Sequence, residues 1–267
     1  RSTLFPYTTL FRSALAALVC DGSVRRQPDI SEDFCFIWVL DICPMTTIQA
    51  DEVKIMDGVT SAQFISAGIH FYPGCGYKRL SEQAIAEHLN SNLETFNRMF
   101  ADKDEFVKAM LIEYSNRALG RVSFDFAQNI EDTERLYQIV WRLAVTIREH
   151  LVWIHRMLLD SEEGVDLITK ALKKQHKMLA YGMIRHIKAC NGRKDVSELE
   201  LLNQFEFLNG AVISPMIMNT RYRMLGILTD EMNGRHEDLL TDSSIHQRID
   251  WAFAALFPHY RSKARPF

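Results

Sequence analysis

The chain has 267 residues, of which 47% are hydrophobic and 24% charged, with a formal charge of −3. This is the composition of a folded globular protein and excludes a disordered one. The slightly acidic balance excludes a nonspecific coat for nucleic acid, which requires a strongly basic surface. No apolar stretch reaches the ~20 residues that a membrane-crossing helix needs.

The first residues stand apart from the rest. Thr3 to Ser13, T-L-F-P-Y-T-T-L-F-R-S, resembles the translation of a common sequencing-adapter oligonucleotide. Pro6 and Arg12 interrupt its apolar residues, so it has no signal-sequence core. Residues 14–44 add a second short apolar run, F-C-F-I-W-V-L-D-I-C-P, before Met45 opens a polar stretch with the character of a natural start. Residues 1–44 are therefore expected to be an upstream or mis-joined reading frame or a disordered extension; a genuine N-terminal extension is the alternative. Beyond them Cys75 and Cys190 are the only cysteines. That suits a reducing cytoplasm with no disulfide framework, and a cytoplasmic location is expected.

The spacing from Leu80 to Phe106 predicts two short helices joined by a tight turn and backed by a third. Ser81 is a good N-cap, and Ile85, Ala86 and Leu89 share one side of the first helix. Asn90 falls where the chain must turn sharply, and asparagine tolerates the left-handed conformation. Asn92 caps a second helix, whose Phe96 and Phe100 lie one turn apart and are expected in the core. Asp102 caps a third helix starting near Lys103. This is the pattern of a helix-turn-helix. Its charges are balanced: Lys78, Arg79, Arg98, Lys103 and Lys108 are offset by Glu82, Glu87, Glu94, Asp102, Asp104 and Glu105.

From Ala67 to Phe106 the chain resembles, without a gap, the N-terminal domain of TetR/AcrR-type transcriptional regulators. That family reads A-A-x-x-L-F-x-x-x-G-Y, then T-S-x-x-x-I-A, a turn, and a helix ending Y-x-H-F followed by x-x-K-E-x-L. Here A-G-I-H-F-Y-P-G-C-G-Y (Ala67 to Tyr77) fills the first part, and Ser81, Ile85 and Ala86 the second. Thr95, Phe96, Phe100, Lys103, Asp104 and Phe106 fill the third. The resemblance implies an all-α fold. A three-helix helix-turn-helix DNA-binding domain would occupy residues 45–115, and a larger helical effector-binding and dimerisation domain residues 116–267.

By the same resemblance the recognition helix runs from Asn92 to Met99, with its N-terminal residues near base edges. DNA contacts are then expected from Ser81, Asn92, Leu93, Glu94, Thr95, Asn97, Arg98 and Lys103. Arg98 suits guanine, and Asn97 suits adenine or a phosphate oxygen. Two positions depart from the family: Asn97 stands where a phosphate-contacting tyrosine is usual, and Glu94 where a small residue is. Glutamate accepts from cytosine N4 but is repelled by phosphates.

After Lys103 the helical periodicity is nearly continuous. Helices are expected over residues 104–119, 131–159, 164–190, 197–214 and 243–257, with Pro215 stopping or bending the fourth. In the resembled family the long helices enclose an effector pocket, here with Trp141, His150, Trp153 and Tyr181 as its expected walls. Core packing is the competing reading for each of them. Subunit contact in a homodimer is expected on the last major helices, through Phe205, Leu208, Val212, Ile249, Phe253 and Leu256. Internal packing of both apolar stripes is the alternative there.

No catalytic constellation is present. His150 and His155 are five apart, H-E-D-L at His236 lacks the second histidine of a zinc-protease helix, and no cysteine pair has zinc-finger spacing. There is no nucleophile elbow, phosphate loop or dinucleotide fingerprint. No metal, cofactor or enzymatic activity is expected. The expected function is that of a ligand-responsive repressor, homodimeric on a palindromic double-stranded DNA operator, with a small-molecule effector. The alternative is a helical ligand-binding or protein-interaction module with a degenerate helix-turn-helix.

Overall fold

Helix α1 (Ser61–Arg79) starts at a capping box that the sequence reading passed over, T-S-A-Q at residues 60–63. The Thr60 side chain accepts from the Gln63 N–H at 3.2 Å, and Gln63 Oε1 accepts from the Thr60 N–H at 2.8 Å. The computed structural model describes residues 58–120, 122, 130–193 and 195–261. The expectation for residues 1–44 lies outside them.

Pro73 lies inside α1 and has no N–H, so the Ile69 carbonyl, four residues back, loses its usual helical partner. The indole Nε1 of Trp153 takes that place, donating to Ile69 O at 3.2 Å. One turn later Gly76 leaves helical geometry altogether, at φ 67 and ψ 178.

Three short-loop helices follow: α2 (Glu82–His88), α3 (Leu93–Met99) and α4 (Lys103–Leu119). Ser81, Asn92 and Asp102 cap them as expected, each accepting from a backbone N–H three residues on. The body comprises α5 (Asp132–Glu149), α6 (Leu151–Glu162), α7 (Asp166–Asn191), α8 (Glu198–Val212), α9 (Ser214–Met224), α10 (Asp230–Gly234), a 3-10 turn (Glu237–Leu240) and α11 (Asp242–Leu256). Among the described residues the regular elements are helices, so the fold is all-α. None of them is long and apolar enough to cross a membrane.

One helix differs from the sequence reading. The single helix expected over 131–159 is two, parted at His150 with φ −116 and ψ 15. The break falls where the chain passes from one core to another, with Leu151 at the start of α6 still in the first. Leu136, Ile139, Val140, Leu143 and Ala144 of α5 join a cluster with α7, α8, α9 and α11. Trp153 and Met157 of α6 join one with α1 to α4. At Pro215 the helical run is interrupted as expected: α8 ends at Val212 and α9 starts at Ser214 with Pro215 in its first turn, where the missing N–H belongs to a donor that would be unpaired anyway.

Candidate nucleic-acid interface

The turn between α2 and α3 is built by local hydrogen bonding. Asn90 adopts φ 53, the left-handed region, and the Ser91 N–H returns to Ala86 O at 2.9 Å. Asn92 Oδ1 then accepts from the Thr95 N–H at 2.8 Å and starts α3. Four phenylalanines fix that helix from beneath. Phe96 and Phe100 lie 5.1 Å apart between ring centroids, each 5.0 Å from Phe106 of α4, and Phe64 of α1 closes the set at 5.4 Å from Phe96.

The outer side of α3 carries Asn92, Leu93, Glu94, Asn97 and Arg98, all exposed. Ser81 is exposed at the start of α2, its hydroxyl accepting from the Ala84 N–H at 3.2 Å. Six of the eight expected contact residues therefore lie on the surface near one another in sequence. Thr95 does not. It is fully buried, on the inner side of α3 beside Phe96, so it cannot reach a groove.

Lys103 is half-buried. Its ammonium donates to Leu80 O at 2.6 Å and lies 5.1 Å from the Tyr77 ring centroid, which ties the end of α1 to the start of α4. Its neighbour Asp104 accepts from the Tyr77 hydroxyl, and that bond is the main reason the Tyr77 pKa is pushed up to about 12. The motif residues Tyr77, Lys103 and Asp104 thus hold the joint between helices together.

The electrostatics of the face are moderate. Arg98 Nη2 pairs with Glu94 Oε1 at 3.1 Å, one turn apart on the exposed side. Glu94 is therefore a partner of the arginine rather than an isolated negative charge. Lys78 pairs with Glu163 at 3.2 Å, and Arg79 donates to carbonyls of its own helix.

The four expected pocket residues do not converge. Trp153 belongs to the core beneath α1 to α4, stacked on Tyr114 at 3.7 Å, with Tyr72 tilted against it at 4.5 Å between centroids. His150 meets the edge of that stack, 5.2 Å from Tyr114. Trp141 lies against the other core, stacked on His246 at 3.8 Å. Tyr181 is 52% exposed, with Lys177 over its ring.

The expected subunit-contact residues also need correction. Phe205, Leu208, Val212, Ile249 and Phe253 are buried inside one chain, where α8 packs on α11, and Leu256 is half-buried beside them. Their apolar area is already used within the chain. The outward residues of the same helices are Leu199 and Phe207 on α8 and Trp251 on α11, exposed by 65%, 47% and 63%.

One polar cluster escaped the sequence reading: Asp160 of α6 accepts from Tyr72 and Tyr77 of α1 and from Arg156 of its own helix. An arginine and an aspartate one turn apart on the same helix was the available signal. Among the described residues no group of three or more His, Cys, Asp or Glu side chains is placed to hold a metal ion.

No protein-family model matches the chain, and no curated protein matches it. Its fold is similar to that of a Mesorhizobium loti MAFF303099 protein provisionally assigned as a TetR-family transcriptional regulator. The TM-score is 0.52 at 12% sequence identity, over 73% of this chain and 94% of that one.

Proposed function

We propose that the chain is a DNA-binding transcriptional regulator, acting as a homodimeric repressor whose helical body responds to a small-molecule effector. In this reading α3 enters the major groove and its outer face meets base edges. The observation that carries it is the outer face itself: the phenylalanine clamp holds α3 rigidly while Asn92, Asn97 and Arg98 point to solvent. The fold likeness to a TetR-family structure supports it at the level of architecture.

The test begins by selecting a duplex from random DNA and measuring its affinity by fluorescence anisotropy. Arg98→Ala should cost roughly 1–3 kcal/mol at the selected site and relax preference at one base pair. Equal losses on selected and random duplexes would remove Arg98 from base reading. Failure to select any duplex would overturn the DNA reading as a whole.

A second reading, a ligand-binding or protein-interaction module, is favoured by one observation. Arg98, Lys103 and Lys78 are each engaged by protein acceptors, so the surface offers a phosphate backbone few cations. The salt dependence of binding separates the two, since each phosphate contact steepens the slope of log affinity against log salt by about 0.9.

A two-fold pair would set its recognition helices about one DNA turn apart, roughly 34 Å. Leu199, Phe207 and Trp251 are the proposed contact. Trp251→Glu should leave helical circular dichroism intact and halve the mass read by light scattering. An unchanged dimer mass would exclude that face.

A further inference from the structure

The joint between α1 and α2, residues 76–80, is held from across the fold by a buried carboxylate. Asp160 of α6 is 0% exposed. One of its oxygens accepts from the Tyr72 hydroxyl at 2.6 Å and from the Tyr77 backbone N–H at 2.8 Å. The other accepts from Arg156 Nε at 3.1 Å and from Arg156 Nη2. Arg156 continues to Glu163 at 3.3 Å, and Glu163 receives Lys78 at 3.2 Å. This network leaves α1 at Tyr72 and returns to it at Lys78, closing a ring around the kink. Burial first, and the bond to Asp160 second, keep the Tyr72 hydroxyl in its donating form.

The backbone at the centre of the ring is shaped for it. Gly76 sits at φ 67, and a Cβ there would stand 2.6 Å from Arg156 Cζ and 2.7 Å from Asp160 Oδ1. Only a residue without a side chain lets the ion pair approach so closely. A carboxylate in this position is stable only with its donors in place; removing it strands a tyrosine hydroxyl and a backbone N–H and leaves Arg156 with Glu163 alone.

We propose that Asp160 is the positioning residue of this joint: it fixes the direction in which the chain leaves α1, and so where α2 and α3 stand relative to α6. Another side of α6 is tied to α9 through Glu162 and Arg221 at 2.7 Å. Any molecule that shifts α6 against α1 must therefore first open the donor set of Asp160. The latch is a property of the chain and holds whether or not α3 meets DNA.

Hydrogen–deuterium exchange on the full chain tests it without DNA. Asp160→Asn should speed exchange of the 77–80 amides about tenfold or more, while amides of α8 and α11 stay within about twofold. Unchanged exchange at 77–80 would overturn the proposal. An equal rise in every helix would also overturn it, reducing Asp160 to a contributor to global stability. Should Asp160→Asn not fold, Tyr72→Phe decides. It removes one donor and leaves the ion pair, and its smaller acceleration must again be confined to 77–80; no local change there sinks the latch.

Discussion

Gly76→Ala should destabilise the fold by about 3 kcal/mol or more, the sum of two distinct penalties. The first is conformational: φ 67 with ψ 178 is a region that residues with a side chain almost never occupy, at a cost of about 1–3 kcal/mol. The second is steric. The new methyl would meet Arg156 and Asp160 inside a buried ion pair, and overpacking of that kind costs about 1–3 kcal/mol. Gly192 provides the control. It closes α7 at φ 63, with no atom within 4 Å of a built Cβ. Gly192→Ala should therefore lose only the conformational part of a left-handed residue, about 1–2 kcal/mol. Urea unfolding of both variants separates the penalties; equal losses would show that the ion pair gives way freely.

Phe205→Glu should unfold the helical body rather than divide a dimer. The side chain is 1% exposed and lies in the core shared by α5, α7, α8, α9 and α11. Removing a buried aromatic ring costs about 3–5 kcal/mol. Leaving a carboxylate there without a partner is strongly destabilising as well, on the order of 3–5 kcal/mol. The two do not simply add, but either is a large part of the ~5–15 kcal/mol that holds a domain together. Circular dichroism should show lost helix and light scattering a rise in aggregate. A well-folded monomer would instead return Phe205 to a subunit contact.

What the sequence made legible was local. Ser81, Asn92, Asp102 and Ser197 each bind a backbone N–H three residues on, so the cap and its partner lie in one short window. Asn90 was legible for the same reason, as a residue tolerant of positive φ at a forced turn. Burial of Thr95 was not. Residue type argued for a polar contact, while the facing of α3, set by Phe64 and Phe106 on other helices, turned it inward. The break at His150 has no proline or glycine to announce it and falls where the chain passes from one core to the other. The Asp160 cluster was invisible because Tyr72 lies 88 residues away along the chain. The apolar stripes of α8 and α11 were read correctly as stripes. Periodicity alone cannot say whether such a stripe faces its own chain or a second one.

Trp153 and Pro73 are coupled through a third residue that both act upon. Proline removes the donor that the Ile69 carbonyl would have received from its own helix, and the indole supplies one from α6. Neither side chain is then free to drift alone. Among sequences descended from a common ancestor of this chain, replacement of position 73 by a residue with an N–H relaxes the demand for tryptophan at 153. A tryptophan lost while proline persists leaves a carbonyl stranded in the core. The two positions should therefore vary as a pair, 80 residues apart in the gene, with the imprint of one hydrogen bond preserved in the pattern of their substitutions.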